Sequence, residues 1–312
     1  MCTITDQRID ELSGLVTVPR GYVAVNDGSD DPRNRRIFFL DEKCKVGRAV
    51  KYPSQPTDTE DLAVAPDGTL WIADIGTNTG ARSTIGLWKL APGATKPVLH
   101  KVRYPAGSHD AETLILDGDG TPVIVTKEPF AGELFVPTGP LRPGKVTALR
   151  SAGRVRIPIT TTSNPYGMPG RFALTGGTTS RDGTKVALRT YADAFEYPVR
   201  DGDVVGALTS GDPTAVPLPD EPQGEAIAYT QDGAALVTAS EGAKPDVLRY
   251  PSALRAPSPT PTTTPPSVAP SPVPAAQQSP AAEFPTGWLA AGAGLLVVAL
   301  TGIVLVARRR RP

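Results

Sequence analysis

Five times between Ser13 and Gly233 the chain runs through one frame. A polar residue opens it, an apolar stretch follows, and seven residues after the opening comes a turn position with glycine next to it. The copies run from Glu60 to Asp67 in "EDLAVAPDG", Glu112 to Asp119 in "ETLILDGDG" and Glu225 to Asp232 in "EAIAYTQDG". Weaker copies run from Ser13 to Arg20 and from Thr175 to Asp182, and the glycines are Gly21, Gly68, Gly120, Gly183 and Gly233. Glycine in a tight turn between apolar runs supplies the positive φ that a hairpin needs. The openings recur every 47 to 63 residues. Such a period, made of short strands, is that of propeller blades, four-stranded sheets that bury both faces only by packing on neighbours. The expected fold is therefore all-β, a five-bladed β-propeller over residues 1–252. Six blades is the alternative if "GRVRIPITTTSNPYGMPGRF" hides a degenerate one. A β-sandwich does not explain five turns in one register.

Outer strands are expected at "RRIFFLDE" and "GRAVKYP", at "STIGLWKL" and "PVLHKVRYP", and at "GELFVP" and "VTALR". The opening "CTITDQRIDE" is placed to supply the outer strand of the last blade and close the ring. Cys2 and Cys44 are the only cysteines, compatible with one disulfide or with two separate buried thiols. A bond between them would tie the closing segment to blade one. The 32 basic residues equal the 32 acidic ones, which removes any general attraction to nucleic acid.

The C-terminal sixty residues have another character. Residues 253–285 are a Pro/Ser/Thr-rich linker, and proline at this density favours an extended, solvated stalk. Residues 286–307 contain the uncharged run Gly287 to Ala307, long enough as a helix to cross a hydrocarbon core of about 30 Å. Trp288 suits one interface, and Arg308 to Arg311, in the tail 308–312, place the C-terminus in the cytoplasm by the positive-inside tendency. The expected topology is a single-pass membrane protein with an extracytoplasmic head. The opening "MCTITDQRIDEL" has no basic n-region and no apolar h-region, so this topology implies a segment upstream of Met1. A tail-anchored protein with a cytoplasmic head is the alternative.

"PDGTLWIADIGTN", with Arg82 after it, resembles the repeat of NHL propellers and of propellers of the gluconolactonase and paraoxonase type. With "TEDLAV", "ALRTY" and "QGEAIA", the head also resembles membrane-anchored actinobacterial propeller proteins of uncharacterised function. The resemblance implies the fold. Activity does not follow, because this superfold hosts binding modules and enzymes alike.

In a propeller the entry to each inner strand and the exit from the second strand share one face. The hairpin turns occupy the other, so Asp67, Asp119, Asp182 and Asp232 are read as turn formers. The shared face collects Glu60, Glu112 and Glu225, the expected metal ligands. It also collects Asp27, Asp61, Asp74, Asn78, Lys127, Arg189, Tyr191 and Glu241, the expected ligand-binding residues. Converging carboxylates repel one another and call for a cation, and Ca²⁺ with its preference for oxygen ligands is the candidate, with Asp74 or Asn26 completing the set. The competing reading is that Lys127 and Arg189 neutralise the acids in a buried ion-pair network. The function expected is ligand or protein binding at the cell surface, to cell-wall material or a partner protein. The alternative is a Ca²⁺-dependent esterase or lactonase, which the resemblance implies would use one metal to polarise an ester carbonyl. His109, next to Asp110, is either its base or a solvated loop residue, and His100 falls on an outer strand. There is no nucleophile elbow, phosphate loop, dinucleotide fingerprint or clustered zinc motif.

Overall fold

The turn glycines do what the repeat requires. Gly21, Gly68, Gly120, Gly183 and Gly233 all have positive φ. At Gly21, with φ of 124°, a Cβ would stand 2.1 Å from the Leu40 carbonyl oxygen, so no side chain fits. Asp67, Asp119, Asp182 and Asp232 accept the backbone N–H two residues on, at 2.8 to 3.1 Å, and are turn formers.

The computed structural model describes residues 1–29, 31–77, 81–219 and 221–254. After β1 (Cys2–Thr3), four antiparallel meanders follow in chain order. The first is β2 (Leu12–Val18), β3 (Gly21–Asn26), β4 (Arg36–Leu40) and β5 (Val46–Lys51). The second is β6 (Thr59–Val64), β7 (Leu70–Asp74), β8 (Ile85–Leu90) and β9 (Val98–Arg103). The third is β10 (Ala111–Leu116), β11 (Pro122–Thr126), β12 (Ala131–Pro137) and β13 (Val146–Arg156). The fourth is β14 (Leu174–Thr179), β15 (Lys185–Thr190), β16 (Asp193–Pro198) and β17 (Thr214–Pro217), with the short helix α1 (Val204–Ser210) before its last strand. Finally β18 (Gly224–Tyr229), β19 (Ala235–Ser240) and β20 (Asp246–Pro251) form a meander whose outer edge is β1, antiparallel to β20 with Cys2 opposite Val247. β13 runs parallel to β9 and joins the second and third meanders into one eight-stranded sheet.

The first strands β2, β6, β10, β14 and β18 neighbour one another in cyclic order, with β18 against β2. Period-two alternation explains why the ring holds. In β3, Tyr22 and Ala24 join the apolar core shared with the last meander, while Val23 and Val25 join the core shared with the second. Each of the remaining interfaces has its own core, centred on Leu114 and Phe135, on Val186 and Phe195, and on Ile227 and Leu236. Meanders that bury both faces against neighbours around an axis make a β-propeller.

The N-terminal segment closes the ring, and the Cys2–Cys44 disulfide ties it to the β4–β5 turn of the first meander. The stretch expected to hide a further blade forms no meander. After β13 it runs as irregular chain to a 3₁₀ turn at Pro169–Arg171. Thr162 anchors it by donating to Asp193 at 2.7 Å, and Thr160 bonds the same carboxylate. Helix α1 had no periodic signal, and it begins where the Asp203 carboxylate accepts from Gly206 N–H at 2.7 Å. Among the described residues no helix is long and apolar enough to cross a membrane. The linker 255–285 and the expected span 286–307 lie outside the described residues.

Candidate functional site

In all five meanders the pairing of the first strand with the second skips one residue at the same place. The skipped residues are Ser13, Glu60, Glu112, Thr175 and Glu225. A bulge takes its residue out of the ladder and re-aims its side chain. At two of the positions a hydroxyl laces neighbouring meanders, since Ser13 donates to the Glu60 carbonyl and Thr175 to the Gly224 carbonyl at 2.9 Å. At the other three the re-aimed side chain is a glutamate, and all three are buried.

The three glutamates do not share one point. Among the described residues of this mouth, the carboxylate oxygens close enough to hold one ion belong to Asp27, Asp58 and Glu60, all within 4.8 Å of one another. Glu60 is 2% exposed, and its Oε1 is buried with no hydrogen-bond partner. Two glycines make the room. A Cβ on Gly76 would stand 1.8 Å from Glu60 Oε1 and 2.6 Å from Asp58 Oδ2, and one on Gly28 would stand 2.6 Å from Asp58 Oδ1. Burial, reinforced by the charges of Glu112, Asp27, Asp58 and Glu225, pushes the Glu60 carboxyl well above its usual range. Burial likewise raises Asp27 to about 7, with the charges of Asp58 and Glu112 adding to it.

Asp74, at the end of β7, holds this arrangement from beneath. Its carboxylate accepts the backbone N–H of Thr57 at 3.1 Å and of Asp58 at 3.0 Å, pairs with Arg82 at 2.8 Å and faces Trp88 Nε1 at 3.4 Å. It fixes the turn that presents Asp58 and has no capacity left for a ligand. Asp61 is also structural. It is 1% exposed and accepts the N–H of Leu62 at 2.7 Å and of Leu114 at 2.8 Å, lacing β6 to β10. Asn26 donates to the carbonyls of Arg8 and Asn34, leaving its buried Oδ1 without a partner.

Next to this group, further side chains of the mouth pair with one another. Lys127 donates to Glu112 at 3.0 Å and lies over the Tyr191 ring, and Tyr191 donates to Glu225 at 3.0 Å. Burial opposes the ammonium charge, but the carboxylates of Glu112 and Glu225 outweigh it and raise the Lys127 pKa. Glu241, bonded by Gln223, is raised to about 7 by burial and by the charges of Glu11 and Glu112. Arg189 is not at the surface of the mouth. It is fully buried, with Glu221 at 2.9 Å and the Ala226 carbonyl at 3.0 Å. Asn78 lies outside the described residues.

Sequence reasoning passed over Asp58. The signal was present in "TDTED", whose first aspartate is two positions before Glu60. Reading only the strand entry missed the turn ahead of it. His100 packs beside Trp71 on β9, and His109 is held at Ala106 and Glu128, so neither is at the Asp27, Asp58, Glu60 group. The hairpin face carries a separate cavity of about 380 Å³ floored by Val16, Val64, Leu116 and Ala228.

No protein-family model matches the sequence, and a search of curated proteins finds no match. The likeness to NHL, gluconolactonase-type and actinobacterial anchored propellers therefore has no sequence match behind it. Among solved structures the chain is similar to the PQQ-bound aldose sugar dehydrogenase of Streptomyces coelicolor, at 11% identity and TM-score 0.42 over 80% of this chain and 96% of that one. It is also similar to Kuenenia stuttgartiensis hydrazine synthase, at 10% and 0.43 over 79% and 97%. A streptogramin B lyase gives 12% and 0.43 over 79% and 97%. Similarity at this level transfers no chemistry, and the propeller architecture rests on the strand pairing itself.

Proposed function

We propose that the head is a five-bladed propeller that binds a hard divalent cation, Ca²⁺, at its axial mouth, and that it presents this mouth to a ligand at the cell surface. The observation that carries the reading is Glu60 Oε1. It is a buried carboxylate oxygen without a partner, converging with the Asp58 carboxylate in a space that two glycines keep open. Leaving such an oxygen unpaired is costly, and a cation with a preference for several oxygen ligands removes the cost. Asp27, Asp58 and Glu60 would hold the ion, which would supply positive charge at the mouth. Beside it, Lys127, Tyr191 and Glu241 are half-buried and able to meet a ligand. Cell-wall material or a partner protein is the class of ligand that suits an open, polar rim.

The extracytoplasmic placement belongs to the same proposal. The Cys2–Cys44 bond suits an oxidising compartment, and the arginines after residue 307 suit a cytoplasmic end. Residues 286–307 would anchor the head through the linker. Thermal unfolding of the full chain at pH 7.5 tests the cation site. Millimolar Ca²⁺ is expected to raise the midpoint over a chelator-treated sample, as binding to the folded state alone must. An unchanged midpoint, together with no Ca²⁺ bound in equilibrium dialysis, would overturn the reading.

A further inference from the structure

Outside the axial group, one other set of side chains among the described residues brings metal-binding atoms together. His109 precedes β10, Glu128 follows β11 and Glu133 lies on β12, and one ligand atom from each is within 4.8 Å of the others. The imidazole is held in place on three sides. Its Nε2 is 3.2 Å from the Ala106 carbonyl, and its ring packs against Tyr104 at 4.8 Å and Phe135 at 4.9 Å. A carbonyl can only accept, so Nε2 carries the proton and, in the neutral ring, Nδ1 keeps its lone pair. That lone pair meets Glu128 Oε1 at 3.5 Å. In the neutral ring these two electron-rich atoms repel unless a metal ion lies between them, and about 3.3 Å is the spacing that two ligands take on a tetrahedral ion with bonds of roughly 2.0 Å.

The supporting contacts fit the same picture. Arg154 binds the other oxygen of Glu128, leaving Oε1 as a one-point ligand. Glu133 is set by its backbone N–H, which donates to Thr126 Oγ1 at 2.9 Å. A histidine whose far nitrogen is fixed by a backbone carbonyl is the arrangement that orients a metal ligand. We propose that His109, Glu128 and Glu133 form a Zn²⁺ site at the rim of the third meander, with its fourth position open to solvent. One imidazole and two carboxylates suit Zn²⁺ better than the all-oxygen preference of Ca²⁺. The side chains of His109 and Glu128 are 23% and 34% exposed, which leaves a path for the ion and for an exchangeable water or an incoming ligand. The site shares no residue with the axial group, and its proposal does not depend on that one.

The competing account is a protonated His109 in a surface ion-pair network with Glu128 and Arg154. Zn²⁺ titration of the chelator-treated full chain against a chromophoric competitor separates the two. One equivalent of Zn²⁺ is expected, with affinity at least tenfold lower in His109→Ala and in Glu133→Gln, which is isosteric and leaves the ring packing alone. Co²⁺ in place of Zn²⁺ should give visible absorption bands that His109→Ala abolishes. If the wild-type chain binds no more Zn²⁺ than the double variant His109→Ala/Glu133→Gln, or if Glu133→Gln leaves both affinity and spectrum unchanged, the site does not exist.

Discussion

Glu60 shows how one position acquires a role from backbone geometry. The bulge takes it out of the ladder, burial removes its water, and Gly76 and Gly28 remove the atoms that would otherwise crowd its oxygens and those of Asp58. A carboxylate kept there without a cation destabilises the fold, because burial and like charges both oppose its ionisation. Glu60→Gln should therefore have opposite effects on two quantities. In chelator it should raise stability by about 1 kcal/mol, the scale of relieved local conflict. It should also abolish the Ca²⁺-dependent rise of the unfolding midpoint. Paired melts with and without Ca²⁺ check both, and loss of stability in chelator would show that the carboxylate is bonded to something else. Of the residues in this group, Glu60 was legible from its place seven before a turn aspartate. Asp27 was legible as a second-strand exit, and Asp58 was visible only as an acid two positions before Glu60, because its presentation depends on a turn held from another strand.

The second meander supplies that support. The end of β7 delivers Asp74 under the turn before β6, and the carboxylate satisfies two backbone donors there while pairing with Arg82. Asp74→Ala should cost about 3 kcal/mol, since it leaves the backbone N–H groups of Thr57 and Asp58 without their acceptor and takes the carboxylate from the partly buried Arg82. It should also lower Ca²⁺ affinity without removing any ligand, because Asp58 loses its fixed turn. Urea unfolding and Ca²⁺ titration of the same variant measure the two effects, and full loss of stability with unchanged affinity would separate Asp74 from the site. At this scale the sequence showed the hairpins and their order, since Asp-Gly turns and alternating residues are local signals. The fivefold bulge was hidden, because a skipped pairing is a relation between two strands that neither records alone. The role of Arg189 was hidden for the same reason. Its position at a strand exit suggested the mouth, but its partner Glu221 lies in a connection 32 residues on and takes it into the interior.

The whole ring is closed by its first strand, and the Cys2–Cys44 bond spans 42 residues of chain across that closure. On the chain-entropy account a loop of that size is worth about 4 kcal/mol, so Cys44→Ser should lower stability by an amount of that order in denaturant titration. Electrostatics adds a condition-dependent contribution. Asp27 and Glu241 sit near 7 in the folded protein, above the 3.8 and 4.5 of the free groups. Between about pH 4 and pH 7 the unfolded chain has already released these protons while the folded one retains them. Stability in chelator must therefore fall as pH rises through that window, and level off above it. Ca²⁺ at the proposed site should reverse part of the fall, because it would bind the deprotonated Asp27 and compete with the proton for it. Melting points measured from pH 5 to 8 should thus decline in chelator, and the gap between Ca²⁺ and chelator samples should widen with pH. A midpoint that climbs over this range in chelator would mean that these carboxyls ionise in the folded protein as easily as in water, and the mouth would then be a solvated rim with no call for a cation.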